Sequence, residues 1–348
     1  MSNRDAFLSI VKAGLWEKEV QLMPFGKIDY NEIMRLAEEQ SVVGLVTAGL
    51  EHVEDVKVPQ ADLLQFIGQS LQLEQTNSLM NSFIEDIVDK MRRVGIYTLL
   101  VKGQGIAQCY EKPLWRSSGD VDFLLSNDNY QKAKDFLLPL SSSQKPEEQY
   151  SKHLGMSIDQ WYVEIHGSLR TGLSKRVDRI VDEVQRDVFY GGNVRSWMNG
   201  KTTVFLPSPD NDVFFVFSHF IKHFYKEGMH LRQICDWCRL LWTFRDSLNY
   251  GLLESRIKRA GLMGEWKAFA ALAVDYLGMP KETMPLYDSQ FMVKGSRLVK
   301  MILRGYTGNK YKDTWQIAKI FPWKTLYYSP SIFLNVNWLK ISERLFKN

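Results

Sequence analysis

Hydrophobic and polar positions follow helical spacing over roughly the first quarter of the chain. The segment "DYNEIMRLAEEQSVVGLVTAGLEHV" places Ile33 and Leu36 on one helical face. A second apolar pattern begins after Pro59 and ends at Gly95, just after the basic pair Arg92-Arg93, which is typical of a helix carboxyl end. These patterns predict a helical N-terminal region over residues 1–95.

The pattern then changes to short runs rich in β-branched and aromatic residues, bounded by Gly, Pro, Ser or Asn. A segment with helical spacing comes after each of the first two runs, "SSSQKPEEQ" is typical of a polar loop, and helical spacing returns from residue 209. We therefore expect an α+β fold, with a small mixed sheet domain over residues 96–208 between helical regions 1–95 and 209–348. The predicted strands are "IYTLLV" (96–101), "VDFLLS" (121–126), "WYVEIHG" (161–167) and "TTVFLP" (202–207).

Two carboxylates stand at the start of one of these strands, in "GDVDFLLS". Alternation along a strand puts Asp120 and Asp122 on the same face, roughly 6–7 Å apart, while Val121 and Phe123 face the core. Charge repulsion and desolvation both oppose this arrangement unless a positive charge lies between the two aspartates. The pair therefore points to a bound cation.

A third carboxylate occupies the polar face of "WYVEIHG", which also carries His166. If the two strands are neighbours, Glu164 converges on Asp120 and Asp122. Such hard oxygen ligands suit Mg²⁺ or Mn²⁺, which keep coordination positions open for substrate phosphates. Two ions of this kind would clamp the attacking and leaving oxygens of a phosphoryl displacement. The three acids are thus candidate metal ligands and catalytic residues.

A candidate phosphate site precedes the acidic pair. In "LLVKGQGIAQCY" a strand leads through a glycine turn into a helix, so Gly103 and the following amides, with Lys102 beside them, offer donors to an anion. Arg116 and Ser118, just before the first aspartate, offer further donors. These four residues are the predicted nucleotide-binding set.

At these residues the sequence resembles the nucleotidyltransferase superfamily typified by DNA polymerase beta and the aminoglycoside nucleotidyltransferases. It is most similar to a bacterial branch called uncharacterised nucleotidyltransferases. The resemblance covers residues 97–170 well and the helices to about residue 245 more loosely. The residues that carry it are Lys102-Gly103, Ala107, Tyr110, Pro113, Arg116, Asp120-Val121-Asp122 and Glu164-Ile165-His166.

The resemblance implies transfer of a nucleoside monophosphate from an NTP to the hydroxyl of an acceptor that the sequence does not identify, with release of pyrophosphate. By the same resemblance, Asp120 and Asp122 would bind the metals. Glu164 would ligate one metal and help to deprotonate the acceptor hydroxyl. One departure concerns the nucleotide: the superfamily opens its helix with Gly-Ser, whereas this chain has Gly103-Gln104.

A later helix carries the residue types of a zinc site. His219 and His223 precede Cys235 and Cys238, but the order is reversed relative to a zinc finger and no turn separates the cysteines. The helical spacing favours buried cysteines that act as small apolar residues. The two histidines, with Arg232 and Asp236 four residues apart farther along the chain, are predicted either to line a helix face over the cleft, where they could contact substrate, or to bond internally. His166 is likewise predicted to contact substrate or to form a structural hydrogen bond.

Structural and non-catalytic interpretations of these residues stay open at this point. The aspartates could cap a turn, and the chain could be a catalytically degenerate nucleotide-binding module. It could also be a protein-interaction module whose aromatic C-terminal tail docks a partner or a membrane surface, although a core or domain interface is the favoured role for that tail. The tail comprises Trp315, Phe321, Trp323, Tyr327, Tyr328, Phe333 and Trp338.

The composition argues against a disulfide-rich, secreted or membrane-spanning protein. Three cysteines in 348 residues do not form a disulfide scaffold and suit a reducing compartment. The formal net charge of +4 is compatible with polyanionic ligands but does not indicate nucleic-acid binding, which stays open. The N-terminal stretch lacks the apolar run of a signal peptide, and no run of 18 apolar residues predicts a membrane span. A cytoplasmic location is therefore expected.

Overall fold

The computed structural model describes residues 3–150 and 152–330. Two residues of the aromatic tail, Phe333 and Trp338, lie outside the described part of the chain. The α-helices within it are α1 (Asn3–Trp16), α2 (Tyr30–Glu39), α3 (Val43–Leu50), α4 (Gln60–Arg93), α5 (Gly103–Ala107), α6 (Asn127–Leu137), α7 (Lys175–Tyr190), α8 (Pro209–Lys226), α9 (Leu231–Thr243), α10 (Tyr250–Ala260), α11 (Met263–Asp275), α12 (Met292–Arg304), α13 (Lys310–Ala318) and α14 (Pro322–Tyr328).

Seven strands form one mixed sheet in the order β3-β4-β5-β2-β1-β7-β6. The pairs β2–β5 and β1–β7 are parallel, and the other neighbours are antiparallel. The predicted α+β class is confirmed, and all four predicted strands form. Three more were not predicted: β3, which lies inside the expected polar loop, β4 and β6. The strands are β1 (Leu99–Val101), β2 (Asp120–Leu124), β3 (Ser143–Gln144), β4 (His153–Ile158), β5 (Trp161–His166), β6 (Val194–Asn199) and β7 (Thr202–Pro207).

The two faces of the sheet belong to different hydrophobic clusters. Val121 and Phe123 of β2 pack with Val163 of β5 and with apolar residues of α4 and α6. Leu124, on the opposite face of β2, joins the larger cluster that contains the apolar residues of α8 and α9. Since Asp122 shares a face with Leu124, the acidic face of β2 looks toward these C-terminal helices.

Helix α9 begins beside the sheet at a well-anchored point. The backbone N–H of His230 donates to Gln233 Oε1 (3.0 Å), which closes the first turn. The N–H of Leu231 donates to Gln40 Oε1 (3.0 Å), which ties this turn to the end of α2. The next residue, Arg232, is thereby held in a fixed position near the acidic face.

Part of the aromatic tail packs against the C-terminal half of α8. Phe321 forms an edge-on contact with Phe224 (ring centroids 6.0 Å apart), and Tyr328 forms one with Tyr225 (4.8 Å). Trp323, in contrast, is 81% exposed. None of the described helices combines the length and the apolar character that crossing a membrane would require.

Candidate active site

The parallel register of β2 and β5 brings the three predicted carboxylates together. Asp122 lies opposite Glu164, and Asp120 lies opposite Tyr162. One carboxylate oxygen from each of Asp120, Asp122 and Glu164 lies within 4.8 Å of the others. The condition that the two strands are neighbours is therefore met, and the donor set is of the hard oxygen type that fits Mg²⁺ or Mn²⁺.

A lysine ammonium group and an imidazole contact the central aspartate. Lys102 Nζ lies 2.9 Å from Asp122 Oδ1, and His166 Nε2 lies 2.8 Å from the same oxygen. Burial alone would raise the pKa of Asp122, but Lys102 and His166 hold it below its usual value. Burial alone would lower the pKa of Lys102, but Asp122 and Asp120 raise it overall. Asp122 is therefore a carboxylate with compensated charge.

Glu164 is flanked by two histidines. His153 Nε2 lies 3.1 Å and His166 Nε2 lies 3.5 Å from Glu164 Oε2, and the two imidazole rings stack with centroids 4.6 Å apart. Burial opposes the charge of Glu164, but contacts with His153 and then His166 lower its pKa well below the usual range. Glu164 therefore stays ionised and can act as a metal ligand.

Asp120 differs from its neighbour in charge environment. The negative charge of Asp122, followed by burial, raises the pKa of Asp120 above its usual value. The positive charge of Lys102 opposes this increase only in part. Asp120 is thus the acid of the cluster that a divalent cation would stabilise most directly.

The backbone between β1 and α5 is held in a rare conformation. Lys102 has φ 59° and ψ −145°, a region that residues with a side chain seldom adopt, and Gly103 follows with φ 42°. Such strain costs on the order of 1–3 kcal/mol and is found at functional sites. Gln104 is buried and donates to Ser118 Oγ (3.0 Å) and Asn77 Oδ1 (2.8 Å). Its amide therefore links α5 to α4 and to the segment that precedes β2.

Arg116 forms a buried, two-pronged ion pair with helix α9. Its Nε and Nη2 each donate to Asp236 at 2.7 Å, and the hydroxyl of Tyr110 also donates to Asp236 (2.8 Å). The remaining Nη1 lies 3.4 Å from Ser118 Oγ. Most donors of Arg116 are therefore engaged within the protein, and the predicted triphosphate role of Arg116 and Ser118 stays a prediction.

A second guanidinium lies beside the first and was not among the predicted site residues. Arg232 Nη1 donates to the carbonyl of Ser117 (2.7 Å), while its buried Nε has no partner among the described residues. Burial, then the positive charge of Arg116, lowers the pKa of Arg232. An unsatisfied buried donor is costly, so this group is poised for an anionic ligand.

Two cavities meet at the acidic cluster and share Lys102, Asp120, His219, His223 and Glu227 in their walls. The first has a volume of about 320 Å³ and is lined on its far side by the glycines and arginines near the start of α5 and α9. The second has a volume of about 270 Å³ and is lined by the histidines of β4 and β5. The first cavity includes Gly103, Arg116, Asp122 and Arg232, and the second includes His153, Glu164 and His166.

The histidines of α8 stand between the two cavities. His219 Nε2 and His223 Nε2 are 2.9 Å apart, and His223 Nδ1 lies 2.8 Å from Glu227. Burial lowers the pKa of His219 well below its usual value, so its imidazole is neutral. Their predicted contact with substrate stays a prediction. Cys235 and Cys238 are buried, and neither belongs to a metal-ligand grouping in the described residues.

Sequence reasoning overlooked His153, although a signal for it existed. In "HLGMSI" the residues Leu154, Met156 and Ile158 alternate with polar or small positions, which is the pattern of a half-buried strand. His153 lies directly opposite His166 in the β4–β5 register. It forms a second grouping with Glu164 and His166 that could hold a metal ion, with ligand atoms within 4.8 Å.

The acidic cluster lies within a segment that matches a known protein family. A family model described as "uncharacterised nucleotidyltransferase" matches residues 26–278, which include every residue of both cavities at the acidic cluster. No curated protein and no solved structure matches the chain.

Proposed function

Because the chain belongs to this family of uncharacterised nucleotidyltransferases, we propose that it moves a nucleoside monophosphate from an NTP to an acceptor hydroxyl in a reaction that depends on a divalent metal. The observation that carries this proposal is the meeting of Asp120, Asp122 and Glu164 within 4.8 Å. Three carboxylates this close need a positive partner, and the triphosphate of an NTP needs the same partner.

Asp120, Asp122 and Glu164 would hold Mg²⁺ or Mn²⁺. When bound, the metal would neutralise charge on the triphosphate and favour ionisation of the acceptor hydroxyl. The carboxylate oxygens are the donor type that both ions prefer.

The triphosphate would occupy the larger of the two cavities at the acidic cluster. Arg232 and Lys102 are cations in its wall, and Gly103 allows a close approach of the backbone. Arg232 supports this placement because its free buried Nε is a donor that a phosphate oxygen would satisfy. Arg116 and Ser118 would lie behind it.

The acceptor would enter through the smaller cavity, where Glu164 is exposed to it. The acceptor oxygen forms a bond to the α-phosphorus, and the bond from that phosphorus to the oxygen of the β-phosphate breaks. Pyrophosphate leaves with that electron pair, and the hydroxyl proton passes to Glu164. The chain contributes positioning and fixed charges, which are the main catalytic resources in phosphoryl transfer.

A second candidate is a nucleotide-binding module without turnover. The observation that favours it is the contact of Asp122 with Lys102 and His166, since a carboxylate that already has an ammonium partner and an imidazole hydrogen bond has less need of a metal. This candidate predicts NTP binding that depends little on the acidic cluster, and no transfer.

The test is incubation with each labelled NTP and Mg²⁺ or Mn²⁺, in the presence of small-molecule, RNA or protein fractions as acceptors. Pyrophosphate release and label transfer are measured for the parent, for Asp120→Asn/Asp122→Asn and for Asp246→Asn, whose aspartate is 89% exposed. The proposal expects transfer in the parent and the control only. Equal pyrophosphate release by the double variant would overturn it, and tight NTP binding without transfer would favour the second candidate.

A further inference from the structure

Positive charge is concentrated in one segment outside the family match. Residues 294–330 contain eight Lys and Arg against a single acid, Asp313, whereas the whole chain contains 44 against 40. The family match ends at residue 278, before this segment begins. Such segregation of charge within a nearly balanced chain indicates an anionic ligand or surface.

The basic residues of this segment face one another across a cavity. Arg297, Lys300 and Arg304 lie three and four residues apart and therefore share one face of α12. Lys312 lies in α13, and Lys319, seven residues later, caps the carboxyl end of that helix on the same side. All five line a cavity of about 610 Å³, which we call the basic cavity, and its walls also contain Tyr306 and Trp315.

Acidic residues do not balance these cations. Within the described residues, none of the five forms an ion pair with a carboxylate. Asp313 also lines the basic cavity, but it accepts hydrogen bonds from the backbone N–H (3.0 Å) and hydroxyl (2.9 Å) of Thr307 and so fixes the turn between the helices. Arg297 Nη1 donates to the carbonyl of Lys319 (3.2 Å), which links the two basic faces.

The basic cavity is separated by a thin wall from the larger of the two cavities at the acidic cluster, which we call the nucleotide-side cavity. Gly228 lines the latter and has φ 96°, and a Cβ there would lie 2.9 Å from the ring of Tyr306. Tyr306 lines the basic cavity, and its hydroxyl donates to the carbonyl of Phe224 (3.2 Å). The two cavities therefore lie on opposite sides of a glycine–tyrosine contact without sharing an acidic residue.

We propose that the basic cavity is a second binding site, specific for a small molecule that carries two or more phosphate groups. Five positively charged side chains in one cavity favour a ligand with several negative charges over a ligand with a single charge. A volume of about 610 Å³ falls in the range of small-molecule sites, whereas a nucleic-acid strand uses an extended groove. A membrane surface would contact a protruding apolar face, and here the cations line a concavity.

The test is calorimetric titration of the full chain with inorganic tripolyphosphate in EDTA. Three variants are compared with the parent: Lys300→Gln/Arg304→Gln, the equal charge change Lys27→Gln/Lys57→Gln at exposed positions elsewhere, and Asp120→Asn/Asp122→Asn. We expect affinity to fall about tenfold or more in the first variant and to stay unchanged in the second. In the third variant, any gain in affinity reports tripolyphosphate bound beside Lys102 and not in the basic cavity. All four substituted lysine and arginine positions are exposed, so folding is expected to persist, which circular dichroism checks.

Equal affinities in the parent and in Lys300→Gln/Arg304→Gln would overturn the proposal, as would an equal loss in the Lys27→Gln/Lys57→Gln variant. Parallel titrations use a 20-residue single-stranded RNA and vesicles containing phosphatidylserine. If either of these binds through Lys300 and Arg304 more tightly than tripolyphosphate, the small phosphate ligand is wrong. Asp120 and Asp122 do not line the basic cavity, and the titration in EDTA measures binding without the metal that the transfer requires. Failure here is therefore distinct from failure of the proposed nucleotidyl transfer.

Discussion

Lys102 Nζ and Asp122 Oδ1 lie 2.9 Å apart at the point where β1 ends beside the start of the antiparallel strand β2. The acidic cluster therefore carries its own cation, supplied by a residue with the strained φ of 59°. A divalent metal that binds Asp122 must compete with this ammonium group. The strained backbone at Lys102 thus directs this ammonium group toward Asp122.

Replacement of Lys102 by Met should make the protein more dependent on divalent metal. Without the ammonium group, Asp120 and Asp122 repel each other more strongly, so we expect lower stability in EDTA. Mn²⁺ should then raise the melting temperature more in this variant than in the parent, because binding relieves more repulsion. Thermal unfolding with and without Mn²⁺ measures this, with Lys57→Met as the exposed control. Equal shifts in the parent and in Lys102→Met would show that the lysine does not compete with metal.

Glu164→Gln should separate chemistry from nucleotide binding. The amide keeps the shape of the side chain but accepts no proton, so we expect the transfer rate to fall by about 10²–10⁴. The affinity for NTP should change by only a few-fold, since Glu164 lines the smaller of the two cavities at the acidic cluster, which we assign to the acceptor, and not the nucleotide-side cavity. Steady-state rates and equilibrium NTP binding test both statements, with the exposed Glu254→Gln as the matched control. A Glu164→Gln variant with parental rate would remove this residue from the mechanism.

Arg232→Gln should weaken NTP binding without loss of fold. A charge-assisted hydrogen bond contributes about 1.5–3 kcal/mol, so the affinity for NTP should fall about 10- to 150-fold. The variant also removes the repulsion between Arg232 and Arg116, and its free energy of unfolding should therefore be equal or higher. NTP titration and urea unfolding measure the two effects. The exposed Arg179→Gln provides the comparison, and undiminished NTP affinity in Arg232→Gln would place the triphosphate elsewhere.

The pair of Arg116 and Asp236 should behave as a coupled structural unit. Either Arg116→Met or Asp236→Leu leaves a buried charge unpaired, which costs about 3–5 kcal/mol in the free energy of unfolding. The double variant should cost much less than the two single costs added together. Urea unfolding of the four proteins measures this coupling, and additive costs would contradict it. NTP affinity of the refolded double variant then tests the predicted triphosphate role of Arg116 separately.

The sequence predicts the parts of this site that depend on residues close together in the chain, and it does not predict the contacts between distant residues. Alternation along one strand placed Asp120 and Asp122 on a common face, and it did the same for Glu164 and His166 on another strand. That the two strands pair in parallel is a property of the sheet, and it entered the sequence reasoning only as a condition. The acidic cluster was predictable because both strands are short, regular and rich in β-branched residues.

The partners of Arg116 and the position of Arg232 were not predictable in this way. Asp236 lies 120 residues after Arg116, and no local pattern links them. The polar loop expected over 141–149 contains β3, a strand of two exposed residues that forms only by pairing with β4. Long-range pairs of this kind are fixed by helix docking and sheet pairing, for which one sequence contains no periodic signal.

The buried Glu265 should make stability depend on pH, far from the acidic cluster. Burial raises the pKa of Glu265, and Lys324 Nζ, 3.5 Å away, opposes this only in part. The hydroxyl of Tyr225 donates to Glu265 Oε1 (3.1 Å). In the unfolded chain a glutamic acid has a pKa of about 4.3, so the folded state keeps this proton to higher pH than the unfolded state does.

The sign of the pH effect comes directly from this difference. Since the native state binds more protons between the two pKa values, its free energy of unfolding decreases as pH rises through that interval. Glu265→Gln cannot titrate, so the parent should gain stability relative to the variant as pH is lowered from about 8 toward about 5. Urea unfolding of both proteins across this range measures the difference, and the exposed Glu254→Gln should leave it flat. A difference that is constant, or that grows with rising pH, would mean that Lys324 fully compensates the buried carboxylate.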